Sequence, residues 1–221
     1  MIARMTRKLK RLAPQLAALV LILVANTVIA PGFLDISFQN GRLYGSLIDI
    51  LVRAAPVAIL AVGMTLVIAT RGIDLSVGAV MAISGAFAAS LIVAGYPLAI
   101  VIPAALGVGL LCGLWNGFLV AVFDIQPIIA TLILMVAGRG IAQLITEGAI
   151  LTFNNDSFAA LGSGSFLGVP VPVLIWILAG LVVGLAVRTS ALGFLIEATG
   201  INRRAAMLAG VKARFLLFSV Y

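Results

Sequence analysis

Long apolar runs, separated by short polar connections, are the feature of this sequence that most restricts its fold. Six of them are long enough to cross the hydrocarbon core of a bilayer, which takes about 20 residues of α-helix. A helix is favoured in lipid because it satisfies all its own backbone hydrogen bonds. We therefore predict an all-α, polytopic membrane protein with spans at about residues 12–30, 48–70, 75–94, 98–123, 128–146 and 169–187.

Composition and the N-terminal sequence agree with this class. Hydrophobic residues make up 63% of the chain and charged residues 10%, whereas a soluble domain has about a quarter charged residues. Residues 1–11 contain five basic residues, and a cleaved signal peptide is the alternative for the run that follows, since Val-Ile-Ala ends at Ala30. The run is longer than the apolar part of a signal peptide and more spans follow it, which favours an uncleaved first helix.

The distribution of charge predicts the topology. Six spans return the chain to the side where it began, and basic residues cluster in 1–11 and 188–214. Because Lys and Arg accumulate on the cytoplasmic side, the N-terminus is predicted to be cytoplasmic. Arg42 and Arg53 lie near the outer face, where Asp49 and Arg53 are four residues apart and are predicted to pair. The net charge of +7 therefore reflects topology rather than nucleic-acid binding.

A polar interruption follows the sixth span. We predict two short helices over 190–210, joined by a tight turn. Ser190 is the expected N-cap of the first helix, and Gly200 is expected to end it in the left-handed conformation. Asn202 is expected to cap the second helix, which ends at Gly210.

Arg203 and Arg204 lie in the first turn of that second helix. The helix dipole disfavours cations there, so the placement brings no local benefit. Such charges suggest a role outside the helix. They would either anchor the segment on the cytoplasmic side or contact an acidic groove of another protein.

Polar residues within the spans are few. Gly109, Gly113 and Gly117 recur every four residues and predict close helix approach, with Asn116 hydrogen-bonding across the contact. Arg139 is the one strongly charged residue within a span, and burial in lipid would cost several kcal/mol. It is either clamped to carbonyls and side-chain amides or lines a translocation path. The path candidates are Thr65, Thr70, Asn116, Thr131, Arg139 and Gln143.

Several classes of chemistry are not favoured. All seven acids lie in connections or within one turn of a predicted helix end, which argues against a proton- or sodium-coupled carrier. The sequence has no His and a single Cys, Cys112, so it contains neither a disulfide nor a Cys/His metal site. Paired acids or a Ser/Lys dyad for an enzyme are also missing from the spans. No Walker A sequence occurs, so ATP-driven transport would place the nucleotide on another subunit.

Three segments resemble a known family. They are the run G-x-x-x-E-A-x-G-x-N-x-x-A-A-x-x-A-G-V from Gly193 to Val211, the Gly-Ile-Asp-Leu-Ser-Val-Gly core within residues 58–81, and QPIIATLILMVAGRG at 126–140. Together they resemble permease subunits of ribose/galactose-type sugar ABC importers, most closely the galactofuranose branch. The resemblance extends from about Leu16 onward.

The resemblance implies a ten-helix permease of the bacterial inner membrane that works as a homo- or heterodimer. A periplasmic binding protein would deliver the sugar, and a cytoplasmic ATPase subunit would bind ATP and Mg²⁺. This chain would bind no cofactor or metal and would not itself be an enzyme. Asp74 would either cap the third span or pair with Arg71 or another base. The motif residues are Gly72, Asp74, Ser76 and Gly78, and the ATPase-coupling residues are Glu197, Ala198, Gly200, Asn202, Arg203, Arg204, Ala206 and Gly210.

The predicted organisation has four parts. Residues 1–11 form a basic cytoplasmic N-terminus, 12–187 a six-span domain, 188–214 the coupling loop and 215–221 the start of a seventh span. Against a ten-helix fold, this arrangement predicts a truncated permease that does not transport by itself. A secondary carrier is the less favoured alternative.

Overall fold

The computed structural model describes residues 2–39 and 41–221, with side chains from residue 12 onward. This part of the chain is helical apart from two short antiparallel hairpins. The helices are α1 (Ile2–Ile29), α2 (Ser46–Ala69), α3 (Val77–Val93), α4 (Leu98–Ala121), α5 (Pro127–Ile145), α6 (Asp156–Ser163), α7 (Val171–Thr189), α8 (Leu192–Ile201), α9 (Arg203–Leu208) and α10 (Ala213–Val220). The strands are β1 (Ser37–Gln39), β2 (Arg42–Tyr44), β3 (Ser165–Phe166) and β4 (Val169–Pro170).

Each predicted span corresponds to one long helix. By length and apolar character, α1 from Leu12 onward, α2, α4, α5 and α7 can cross a membrane. Helix α3 is apolar but has 17 residues, so it extends about 26 Å and is shorter than the others. The protein is thus an all-α, polytopic membrane protein, as the apolar runs predicted.

The connections between α1 and α2 and between α5 and α7 contain regular structure. The first forms the β1–β2 hairpin, and the second contains α6 followed by the β3–β4 hairpin. Asn155 caps α6, because its side chain accepts a hydrogen bond from the Phe158 N–H at 3.0 Å. The Leu43 N–H donates to the Gly168 carbonyl at 3.1 Å and so joins the two connections.

Helix α3 occupies the centre of the packing, since it contacts both α4 and α5 extensively. Helix α2 packs on α7, and α10 packs on α4. The predicted glycine stripe of α4 serves these contacts: Gly109 faces α3, whereas Gly113 and Gly117 lie against Tyr221 and Phe218 at the end of the chain. Small residues permit such approaches in membranes, where packing drives helix association.

The predicted pair of Asp49 and Arg53 does not form. Among the side chains that the structure describes, the one ion pair joins Arg203 and Asp124. Asp49 and Arg53 are both exposed near the start of α2. Their separation by one helical turn permits a contact, but exposed pairs of this kind contribute only a few tenths of a kcal/mol.

Two glycines of α5 provide a matched test of the α3–α5 contact. A Cβ added at Gly138 would lie 2.6 Å from the Ala79 Cβ, whereas at Gly140 it would meet open space. We expect Gly138→Ala to destabilise the protein by about 1–3 kcal/mol through overpacking. Gly140→Ala should leave stability unchanged or slightly higher. Unfolding midpoints in detergent would measure both, and equal midpoints would contradict the packing described.

Candidate functional site

The segment after α7 folds as the two predicted short helices. Helix α8 ends at Ile201 and α9 begins at Arg203, so Asn202 joins them in an extended conformation. The Asn202 side chain accepts a hydrogen bond from the Ala205 N–H at 3.0 Å, which confirms the predicted cap. Beyond α9, Gly210 has a φ of 86°, the left-handed conformation expected of a glycine after a helix end.

The predicted roles of Gly200 and Ser190 need correction. Gly200 does not end α8 in the left-handed conformation, since it is helical and buried. Glycine is required at this position because a Cβ would overlap the Ala69 carbonyl oxygen of α2. Helix α8 begins one residue later than predicted, with Ala191 as N-cap, although the Ser190 hydroxyl still accepts from the Leu192 N–H at 3.2 Å.

Arg203 has a partner within this chain, although its unfavourable position at the start of α9 suggested a partner outside it. Its Nη1 lies 2.5 Å from Oδ1 of Asp124, in the connection between α4 and α5. The Arg203 side chain is 29% exposed and that of Asp124 75% exposed, so we expect the pair to contribute about 0–1 kcal/mol. Arg204 is exposed. The ion pair joins α9 to the membrane-spanning helices.

Asp124 is the residue of this site that sequence analysis missed. Its partner is 79 positions away, and nothing near Asp124 in the sequence indicates that contact. Asp124 has a φ of 59°, a left-handed conformation that is uncommon outside glycine but tolerated by Asp. The sequence indicated only that the acid lies in a connection.

Two of the recesses beside α8 and α9 contain predicted coupling residues on their walls. A cavity of about 600 Å³ lies between these helices, the end of α2 and the α4–α5 connection. A smaller, mainly apolar groove of about 400 Å³ runs along α8 and α9. The groove brings together the predicted coupling residues Glu197, Ala198, Asn202 and Ala206. Ala206 is buried, and Glu197 is exposed.

The Gly-Ile-Asp-Leu-Ser motif forms a second site, between α2 and α3. Asp74 Oδ1 accepts hydrogen bonds from the Ser76 N–H at 2.7 Å and from the Ser76 hydroxyl at 2.6 Å. Asp74 therefore binds the residue at the start of α3, but it is not the predicted N-cap, because Ser76 occupies that position without a side-chain cap hydrogen bond. Asp74 forms no ion pair with Arg71. Gly72 is buried beside Tyr221, whereas Gly78 meets open space.

Buried polar side chains attach this motif to α4 and α5. The Asn116 side-chain amide, 1% exposed, donates to the Ser76 hydroxyl at 2.8 Å. Thr131 is fully buried, and its hydroxyl accepts from the Leu75 N–H at 3.1 Å while it lies 2.9 Å from the Pro127 carbonyl. Asn116 thus forms the hydrogen bond across a helix contact that the sequence predicted. Asn116 and Thr131 hold the motif in place.

The other path candidates do not converge on one site. Thr70 is buried at the end of α2 and bonds its own helix at the Val67 carbonyl. Thr65 is exposed on α2, and its hydroxyl bonds the Ala61 carbonyl. Arg139 and Gln143 are exposed on α5, one helical turn apart. The structure places no clamp of carbonyls and amides on Arg139 among the residues it describes.

Comparison with known proteins identifies the family of this chain. The profile of the family described as "Branched-chain amino acid transport system / permease component" matches residues 46–221, and the chain belongs to this family. The curated relatives that it matches are transport permeases.

Three of these relatives are permeases for sugars. The chain is 59% identical over 208 residues to the galactofuranose transporter permease of Escherichia coli K12. It is 41% identical to the fructose import permease of Bifidobacterium longum and 37% identical to the ribose import permease of Haemophilus influenzae. These alignments cover 94%, 93% and 92% of this chain but 61%, 60% and 62% of the relatives, so the chain spans about three fifths of their length. No solved structure matches.

Substitution of Asp74 separates its hydrogen bonds to Ser76 from its charge. Asp74→Asn keeps an oxygen that accepts from Ser76, so we expect near wild-type stability. Asp74→Ala removes the acceptor and should cost about 1 kcal/mol. Unfolding midpoints of the purified chain would measure both changes. If Asp74→Asn lowered the unfolding midpoint as much as Asp74→Ala, the negative charge rather than the hydrogen bonds would be the stabilising feature.

Proposed function

We propose that this chain belongs to the permease subunit of an ATP-driven sugar importer in the bacterial inner membrane. Its substrate would be galactofuranose or a related monosaccharide, moved by alternating access. A separate cytoplasmic ATPase subunit would bind ATP and Mg²⁺ and drive the cycle. A periplasmic binding protein and a second permease, identical or related, would complete the transporter. The names of the galactofuranose, fructose and ribose permeases support this assignment.

The observation that best supports coupling is the groove on α8 and α9. Its walls are mainly apolar, and Glu197 and Asn202 add polar groups. Exposed apolar side chains, Phe194 and Ile201 among them, belong to it. Such a surface with a polar rim suits a protein partner. We assign that partner as the ATPase subunit, with Arg204 and Gly210 at the ends of α9 beside the contact.

The attachment of the helix pair would transmit movement. Gly200 packs directly on the backbone of α2, and Arg203 binds Asp124 between α4 and α5. A displacement of α8 and α9 by the ATPase would therefore act on three membrane helices together. Packed elements of this kind move between discrete arrangements rather than deforming continuously.

The topology that fits this function places the two ends of the chain on the same side. Residues 1–11 and 188–214 would be cytoplasmic, 12–187 would span the membrane six times, and 215–221 would begin a further span. The hairpins and α6 would then face the periplasm. Lys and Arg predominate in the two segments assigned to the cytoplasm.

Arg139 and Gln143 are our candidates for the sugar path. Both are exposed on α5, and an arginine facing lipid at this depth would be costly. A watery path or the second permease would supply the polar surroundings that the described residues do not provide. Thr65, exposed on α2, is a weaker candidate because its hydroxyl already binds its own helix.

Docking of the ATPase subunit is tested by filling the groove. Ala205 lines it and is exposed, so Ala205→Phe should block docking without disturbing the core. We expect this variant and Arg204→Glu each to reduce co-purification of the ATPase subunit at least about tenfold, a loss of about 1.4 kcal/mol. Ala149→Phe, exposed in the outer connection, is the matched control. Undiminished co-purification by Ala205→Phe would refute docking in the groove.

Topology is tested by cysteine labelling in intact cells. With Cys112 replaced by Ala, single cysteines are placed at Ala149 and at Leu208, both of which are exposed. A membrane-impermeant maleimide should label Ala149→Cys but reach Leu208→Cys only after the membrane is permeabilised. The reverse pattern would invert the proposed orientation.

A further inference from the structure

The cavity between α2, α8–α9 and the α4–α5 connection has a charged wall. Three arginines line it, Arg71, Arg203 and Arg204, and Asp124 is the one acid among the residues around it. The wall therefore has an excess of two positive charges. With a volume of about 600 Å³, the cavity can admit a phosphate group together with part of its substituent.

Several donors in this wall have no acceptor. Since the one ion pair among the described side chains joins Arg203 to Asp124, neither Arg71 nor Arg204 binds a carboxylate there. Nε of Arg203 is buried and has no hydrogen-bond partner. A buried donor without an acceptor is unfavourable, and the guanidinium fork matches the oxygens of a phosphate. The guanidinium groups of Arg71 and Arg204, which line the cavity and bind no carboxylate, thus indicate an oxyanion.

The cavity lies where membrane helices end. Helix α2 ends at Ala69 and α4 at Ala121, while α5 begins at Pro127, so the wall is at the level of lipid headgroups. Apolar side chains next to it in the sequence are exposed: Phe123 precedes Asp124, and Ile128 follows Pro127. These side chains offer an apolar surface to acyl chains beside a cationic recess.

We propose that this cavity binds the phosphodiester of an anionic phospholipid. The arginines would hold the phosphate, and the acyl chains would lie along the exposed apolar surface at Phe123 and Ile128. Basic pockets at the ends of membrane helices bind anionic headgroups in this way. The bound lipid would join α8–α9 to α2 and to the α4–α5 connection. This site does not depend on the transported solute, and Arg204 is the residue that it shares with the proposed ATPase contact.

Lipid retention by the purified chain tests the proposal. The protein is exchanged into detergent containing either phosphatidylglycerol or phosphatidylcholine, and bound lipid is counted by native mass spectrometry. Wild type should retain phosphatidylglycerol preferentially. Arg71→Gln/Arg204→Gln should lower that preference about thirtyfold, at about fivefold per arginine. Arg188→Gln/Arg214→Gln removes the same charge from exposed positions outside the cavity and should retain the preference.

Two further measurements separate loss of charge from loss of fold, and a lipid site from a site for free phosphate. Arg71→Lys/Arg204→Lys keeps the charge, so it should retain most of the preference, and its loss together with a shifted unfolding midpoint would oppose the proposal. Competition by millimolar inorganic phosphate would identify a free-anion site and overturn the lipid assignment. Equal retention of both lipids by wild type, or an equal effect of the control pair, would also overturn it. None of these outcomes bears on docking of the ATPase subunit, which the Ala205→Phe variant tests separately.

Discussion

The hydrogen bond from Asn116 to Ser76 is the interaction on which the arrangement of the spans depends. With Thr131 it joins the start of α3 to α4 and α5, so three helices meet at one buried polar point. Burial keeps water from these groups, so the Asn116 amide N–H and the Leu75 N–H bind partners within the protein, while the Asn116 Oδ1 has no partner among the described residues. Lipid is as apolar as the side chains between the helices, so apolar contacts contribute through close packing rather than through removal of apolar surface from water. The polar point adds a directional contact that places the start of α3 against α4 and α5.

The short helices α8 and α9 depend on the same bundle. Gly200 allows α8 to touch the end of α2, and the ion pair of Arg203 reaches Asp124 after α4. Neither contact is strong, since one is a close packing of backbone and the other is partly exposed. Their position matters more than their energy, because together they attach the predicted coupling segment to helices that would move during transport.

Sequence analysis identified the local features well. Apolar runs located the membrane helices because a span must be long, helical and apolar whatever surrounds it. Asn202 and Gly210 were recognised because capping and left-handed turns depend on residues within one or two positions. Gly200 was misjudged for the same reason: its local context suits a helix end, while its actual requirement is a neighbour, Ala69, 131 positions earlier.

The sequence by itself determined the class, the number and order of apolar helices, the cap at Asn202 and the turn at Gly210. Only the tertiary structure decided that Asn116 and Thr131 are buried supports of the Asp74 motif, that Arg203 binds Asp124, and that Arg139 remains exposed. The division has a physical origin. Lipid and backbone impose their rules on each segment separately, whereas the partner of a polar side chain depends on how distant segments are packed.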